Sequence, residues 1–318
     1  MNQELVNALN KNFSPRDLEI LEERQPKPGL TVLSFGAGQD STAILYLLTY
    51  NKDFRVRYAP GKLIVAFSDT MDEHPQTYAH IEKVKVFCAE QKIPFFHLDP
   101  SMGMHGWDGL REQYRKNSTV GSKCFSKSCT DALKITPIYK FLERHVGHEH
   151  NIPIGNKKGL VQFAKKYGRI HVLIGIARGE EKRMADPSKE DKWRREPITT
   201  VYPLIDIGMD RGDCQRYITA VGKEVPLPSN CILCPYLSPI ELLWLYKFMR
   251  ESYEDWCQIE RNKLIRFAHK GEKNYGVFGK NKTLPIVLEA AQKKYGHLTD
   301  DQLWEYKMSH GHCVASRY

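Results

Sequence analysis

The chain has 318 residues, 41% hydrophobic and 27% charged, with a formal net charge of +9. This balance excludes disordered and fibrous classes and describes a globular protein with room for one main core plus a smaller unit. No apolar run approaches the roughly 20 residues of a membrane span, and Met1-Asn2-Gln3-Glu4 does not read as a secretory leader. A cytoplasmic protein with no membrane partner is therefore expected. In a reducing compartment its eight cysteines are thiols or metal ligands rather than disulfides. The positive charge suits a polyanion, either nucleotide phosphates or a nucleic acid backbone, and a solvated basic face accounts for it equally well.

Residues 3 to 24 read as an amphipathic helical region interrupted by Ser14-Pro15-Arg16-Asp17, within an N-terminal segment of residues 1–29. Leu30 to Phe35, which includes Ser34, is a short buried strand, and Ala43 to Leu48 belongs to a helix. Between them lie Gly36, Ala37, Gly38, Gln39, Asp40, Ser41 and Thr42, a loop of little bulk. A strand, a small-residue loop and a helix start form an anion site, because unpaired N–H groups converge there and small residues admit a phosphate. Asp40 suits such a site when it holds Mg²⁺ beside a nucleotide. The alternative is a tight turn with Asp40 or Ser41 as helix cap.

A second strand, Lys62 to Ser68, ends at Asp69-Thr70-Met71-Asp72-Glu73. A helix from Pro75 to Gln91 and a third strand, Ile93 to Leu98, follow. This alternation predicts a parallel sheet with helices on both faces, and ligands of such sheets bind beyond the carboxyl ends of the strands. The Gly36–Ser41 loop and the Asp69–Glu73 loop then open on one edge. Asp69 either accepts from a nucleoside or caps the next helix.

Cys124 and Cys129 lie in a polar loop before a helix that starts near Thr130, and Cys231-Ile232-Leu233-Cys234 is a Cys-x-x-Cys knuckle. Four thiolates suit a tetrahedral zinc or a [4Fe–4S] cluster, and buried free thiols are the alternative. Residues 143 to 169, with His145, His148 and His150, read as a surface insertion. Ile170 to Ile176 and Thr200 to Leu204 are further strands, and Arg178 and Arg183 between them serve an anion or ordinary surface ion pairs. Ser238-Pro239-Ile240-Glu241 opens a helical C-terminal region, residues 237–318. It contains a flexible basic loop, 269 to 282, and ends near Cys313. That loop either tracks a nucleic acid or is simply solvated.

Gly36 to Ser41 resembles the pyrophosphate loop Ser-Gly-Gly-x-Asp-Ser of ATP pyrophosphatases and phosphoadenosine phosphosulfate reductases, with Gly36 in place of the serine and Ala37 in place of the first glycine. Asp69-Thr70 resembles the reductases' second-strand segment near the nucleoside. Cys129 to Pro137 and Cys231-x-x-Cys234-Pro235 resemble their two cysteine segments. Ala177 to Arg183 resembles their Gly-Ile-Arg-x-x-Glu-Ser-x-x-Arg, with Glu180 and Arg183 matching, Ala177 replacing an arginine, and Arg178 beside it as a substitute charge.

The resemblance implies a Rossmann-like α/β domain of the adenine nucleotide α-hydrolase (HUP) type over residues 30–236, followed by the mainly helical part. It implies ATP or a related adenine nucleotide, held by Ser34, Gly36 to Thr42, Asp69, Thr70 and Glu180. Mg²⁺ would sit at Asp40, and a [4Fe–4S] cluster or structural Zn²⁺ at Cys124, Cys129, Cys231 and Cys234. The first expected activity is adenylation of a substrate, with a nucleic acid base as one candidate, and release of pyrophosphate past Arg178 or Arg183. Sulfur or nitrogen is then the incoming atom. The alternatives are a sulfonucleotide reductase using Cys313 and a non-catalytic nucleotide or nucleic acid module. A homodimer is compatible with each.

Overall fold

Five short segments rich in β-branched and aromatic residues form one sheet: β1 (Leu30–Ser34), β2 (Leu63–Ser68), β3 (Phe95–Leu98), β4 (Ile170–Ile174) and β5 (Ile198–Val201). Every pair is parallel and the order is β3-β2-β1-β4-β5, with Leu33 set against Val65 on one side and Leu173 on the other. This computed structural model describes residues 1–13, 27–102, 106–125, 128–155, 158–186, 188 and 191–310. Part of the predicted N-terminal helical region, residues 14–26, and the C-terminal Cys313 lie outside them.

Side chains alternate across the strands, so each strand feeds two cores. Leu33, Val65, Phe67 and Leu173 pack on one face against the helices Gln39–Tyr50, Pro75–Glu90 and Arg211–Ala220. The N-terminal helix Gln3–Asn12 adds Val6 and Leu9 to this face, and the Tyr217 hydroxyl donates to Asn10 Oδ1 at 2.8 Å. Val32, Ile64, Ala66, Ile170 and Val172 pack on the other face against the helices Thr136–His150 and Lys158–Tyr167. The sheet is therefore Rossmann-like with helices on both faces, as its alternating sequence implies.

A third core holds the helices Pro239–Phe248, Arg250–Arg266, Leu284–Tyr295 and Asp300–Ser309 together. Ser238 begins the first of these with a reciprocal capping box to Glu241, and Trp244 and Trp256 are almost fully buried. Leu110, Tyr114, Leu133, Ile232 and Leu233 belong to the same core. The core of the helical unit thus takes in residues of both cysteine segments. Among the described residues no helix is long and apolar enough to cross a membrane.

Two local expectations are corrected. His145, His148 and His150 lie in the last turns of the helix Thr136–His150, not in a surface loop, because Val146 and Gly147 bury that face. Residues 269 to 282 are folded: a 3₁₀ turn, Ala268–Lys273, precedes a tight turn in which Gly276 and Gly279 pair. The buried Glu260 carboxylate organises this stretch, accepting from Val277 N at 2.7 Å and Leu284 N at 2.8 Å. A loop that supplies its backbone donors to a buried carboxylate is held in one conformation.

Candidate functional site

β1 and β4 are neighbours whose following connections run to opposite faces of the sheet, which opens a crevice at their carboxyl ends. The loop after β1 turns into this crevice through Ala37, whose φ of 57° is left-handed and costs an alanine about 1 to 2 kcal/mol. The position therefore suits glycine, the residue the pyrophosphate-loop pattern has there. Gly38 caps the helix Gln39–Tyr50, which starts without a side-chain cap and so leaves its first N–H groups to the crevice. A Cβ on Gly38 would stand 2.7 Å from Ser229 N, and one on Gly175 would stand 2.8 Å from Ser41 N. Gly38→Ala must therefore displace the loop from Ser229, and affinity for a phosphate-bearing ligand such as ATP, measured by calorimetry, is expected to fall at least tenfold in that variant.

Ser34, Gly36, Gly38, Gln39, Asp40 and Ser41 line one wall of the cleft. Phe67, Val172, Ile174, Ile135, Ile138 and Tyr139 give it an apolar end, with the Arg194 guanidinium 4.8 Å from the Tyr139 ring centre. A planar base suits that end. The cleft also carries charge. Arg183 and Arg211 line it, and Glu180 joins them by pairing with Arg183 through Oε2 and accepting from Arg211 Nη2 at 3.0 Å through Oε1. Arg211 Nη2 also lies 3.5 Å from Asp40 Oδ2.

Asp40 Oδ1 is buried, and among the described residues nothing hydrogen-bonds to it. Burial raises the Asp40 pKa, while the Arg211 guanidinium opposes the rise. A buried carboxylate oxygen without a donor is costly on its own. Its chemistry fits a hard divalent cation, which takes oxygen ligands.

A second, smaller cavity lies beneath the helical unit, lined by Thr70, Leu110, Cys129, Leu133, Lys134, Cys231, Cys234 and Tyr236. Its floor is tied to the end of β2. Asp72 O accepts from Ile232 N at 2.7 Å, Asp72 Oδ2 accepts from Leu233 N at 2.9 Å, and Glu73 pairs with Cys231 through the backbone. Burial pushes the Asp72 carboxyl up to about 6 against the pull of Arg111, whose Nε donates to it at 2.9 Å. Burial and then the Glu73 carboxylate push the Cys231 thiol well up, with Lys134 countering. Lys134 Nζ lies 3.4 Å from Glu73 Oε1, and the residue also lines the first cleft. It sits in a π-helical stretch, Asp131–Ile135, between the short helix Ser128–Thr130 and the helix Thr136–His150. The extra residue in that turn rotates the helix face between the two cavities.

Three thiols around one cavity are a soft donor set, fitting zinc or an iron–sulfur cluster in kind. Among the described residues no group of three or more His, Cys, Asp or Glu side chains stands in metal-binding geometry. Cys124 does not line this cavity. It is exposed beside Gly279, where an added Cβ would stand 3.3 Å from its Sγ.

Residues 30–227 match the phosphoadenosine phosphosulfate reductase domain. The chain belongs to that family. The phosphoadenosine phosphosulfate reductase match covers the whole sheet and ends just before the cysteine knuckle. Among solved structures, the U34-tRNA thiolase NcsA from Methanococcus maripaludis, with its [4Fe–4S] cluster, is 11% identical. Its TM-score is 0.38, covering 93% of this chain and 82% of that one. The NH₃-dependent NAD synthetase from Campylobacter jejuni, in complex with the nitrate ion, is 10% identical, with a TM-score of 0.29 over 93% of this chain and 95% of that one. No curated protein matches the sequence.

In this member of the reductase family the expected site residues divide. Ser34, Gly36, Gly38, Gln39, Asp40, Ser41 and Arg183 line one cleft, with Glu180 bracing its arginines. Ala37 and Thr42 face the core, where Thr42 Oγ1 meets His80 Nε2 at 2.9 Å. Asp69 is engaged by structure: Oδ1 accepts from Met71 N at 2.7 Å and the Tyr78 hydroxyl at 2.9 Å, and Oδ2 meets His97 Nε2 at 2.8 Å. Thr70 faces the thiol cavity, donating to Glu73 Oε1 at 2.9 Å. Arg178 points to solvent and pairs with Asp210 at 3.1 Å.

Sequence reasoning missed Arg211, Lys134, Arg194 and Asp72. Arg211 opens a helix far along the chain, and the sequence carries no spacing signal for it. Lys134 was within reach, since it stands in the quoted cysteine segment.

Proposed function

We propose that the cleft binds ATP and transfers its adenylyl group to an acceptor carbonyl oxygen. The orphaned Asp40 Oδ1 in the phosphate loop carries this reading. A carboxylate beside phosphates repels them, and it becomes useful when a divalent cation stands between, as ATP cleavage requires and simple binding of a sulfonucleotide does not. Asp40 would hold Mg²⁺, which neutralises phosphate charge and orients the leaving group.

The chain's own groups do the rest. The first N–H groups of the helix Gln39–Tyr50 receive phosphate oxygens, and the apolar end bounded by Ile135, Ile138 and Tyr139 excludes water around the base. In the first step the acceptor oxygen forms a bond to the α-phosphorus and the bond to the β-phosphate oxygen breaks. Arg183 and Arg211, braced by Glu180, stabilise the charge that passes to pyrophosphate. A sulfur or nitrogen nucleophile then bonds to the activated carbon, and AMP leaves with the former carbonyl oxygen. Cys129, Cys231 and Cys234 would hold an iron–sulfur cluster or a zinc ion, which would supply a sulfur-handling centre or a structural tie. Lys134, lining both cavities, places one cation between nucleotide and thiols.

One observation favours a second reading, sulfonucleotide reduction by Cys313. Met308 O accepts from Gln39 Nε2 at 3.0 Å and Gln215 Nε2 at 3.2 Å, so the last described turns stand beside the phosphate loop. Product analysis separates the two. With ATP, Mg²⁺, a nucleic acid acceptor and a sulfur or nitrogen donor, the two steps are expected to yield pyrophosphate and AMP in equal amounts; without the donor, pyrophosphate alone is released and AMP stays on the acceptor. Thioredoxin-dependent sulfite release from phosphoadenosine phosphosulfate, with no pyrophosphate from ATP, would replace the first reading by the second.

A further inference from the structure

The nucleotide cleft and the thiol cavity leave a third feature unexplained. Between residues 261 and 282, Arg261, Arg266, Lys270, Lys273, Lys280 and Lys282 are all exposed, and Glu272, which pairs with Lys280 at 3.1 Å, is the one acid of that stretch. Like charges this close along the chain repel one another, and an anionic partner would relieve that repulsion. The scaffold beneath them is rigid. Glu260 holds the backbone of Val277 and Leu284, and the Ser122 hydroxyl donates to Gly276 O at 2.8 Å.

Aromatic rings lie within and beside the same stretch. Phe125 is 54% exposed and meets Tyr275 edge-on with ring centres 5.7 Å apart. Lys123 Nζ lies 4.3 Å from the Phe278 ring centre. The same strip reaches the thiol cavity, because the Tyr236 hydroxyl, from a residue lining that cavity, donates to Phe125 O at 2.9 Å.

We infer that this face binds a single-stranded nucleic acid, with phosphates on Lys270, Lys273, Lys280 and Lys282 and an unpaired base against Phe125 and Tyr275. Alternating cations and exposed rings are the chemistry of single-strand recognition, since rings stack only on bases that a duplex would occupy. A duplex or an acidic protein would use the charges and leave Phe125 idle. A membrane surface would be met by an amphipathic helix with an apolar face, whereas this strip is a turn with one exposed apolar ring. The inference rests on the adenylation reading for its consequence: a base carried along this strip would be the acceptor.

The test is fluorescence anisotropy with the full chain, a labelled short single-stranded oligonucleotide, its duplex, and phosphatidylserine vesicles. Preference for the single strand is expected. Replacing Lys270, Lys273, Lys280 and Lys282 together by glutamine should lower the slope of log affinity against log salt by about 3, from roughly 0.7 per lost phosphate contact. Phe125→Ala with Tyr275→Ala should weaken single-strand binding about tenfold and leave that slope unchanged. Unchanged binding in either variant, equal binding of duplex with no effect of the rings, or tighter binding of the vesicles overturns the inference. ATP binding, measured on the same variants by calorimetry, should match wild type. Loss of ATP binding in wild type with oligonucleotide binding intact refutes the adenylation reading and spares this surface.

Discussion

Asp40→Ala is expected to lower pyrophosphate release by 10² to 10³-fold, the scale seen when one preorganised charge-stabilising group is removed. In calorimetry the wild type should bind ATP more tightly with Mg²⁺ than with EDTA, and the variant should lose that difference. The melting temperature should not fall, because the substitution removes a buried carboxylate oxygen that has no hydrogen-bond donor among the described residues. The pH dependence has a definite sign. Burial raises the Asp40 pKa above its ordinary 3.8, so the carboxyl favours the folded state most when protonated. Its contribution to stability is complete below pH 3.8 and is lost as the pH rises through the raised value. Asp40→Asn, which stays neutral, should flatten that part of the stability profile. Wild-type rates of pyrophosphate release in Asp40→Ala would refute a role for this residue in the reaction.

Asp72→Ala should be the most destabilising single change near the thiols, at about 3 kcal/mol or more. It leaves the buried Leu233 N–H without an acceptor and deprives Arg111 of a buried partner, and breaking such a pair costs about 3 to 5 kcal/mol. Arg111 keeps Asp255 at 2.9 Å, which places the effect at the low end. Asp72→Asn retains a carbonyl oxygen for Leu233 N and should lose far less in chemical denaturation. Cys231 and Cys234 should react faster with a thiol reagent in the alanine variant, since Ile232 and Leu233 between them lose the anchor. Equal thiol reactivity in both variants and wild type would show that the knuckle holds its shape without Asp72.

The phosphate loop was legible because its signals are local. Leu30 to Ser34 is a run of buried β-formers, Gly38 must be small to pass Ser229, and a helix follows at once, so strand, turn and helix are each set by neighbours in sequence. The cysteine segments were legible for the same reason. What failed was the reach of side chains. Asp69 stands at the expected strand end, yet Met71, Tyr78 and His97 consume its oxygens, and only packing decides which way a carboxylate turns. Arg178, expected as a substitute charge beside Ala177, pairs with Asp210 at the surface, while Arg183, which matched the pattern, and Arg211, which matched none, line the cleft.

The basic stretch shows the same division. Its charge is plain in the sequence, but the glycines and asparagines around it predict a flexible loop. The buried carboxylate that fixes it, Glu260, comes from an earlier helix and only tertiary packing brings it there. Alternation of strands and helices and the small-residue loop thus determined the family of fold by themselves, and the Cys-x-x-Cys knuckle marked where thiols lie, since each depends on residues within one turn or one strand. Which arginines line the cleft, which three thiols share a cavity, and that Lys134 lines both cavities were decided by the tertiary structure. Each of those facts joins residues that the chain separates and the three cores bring together, and no periodicity along the sequence encodes a distance across a fold.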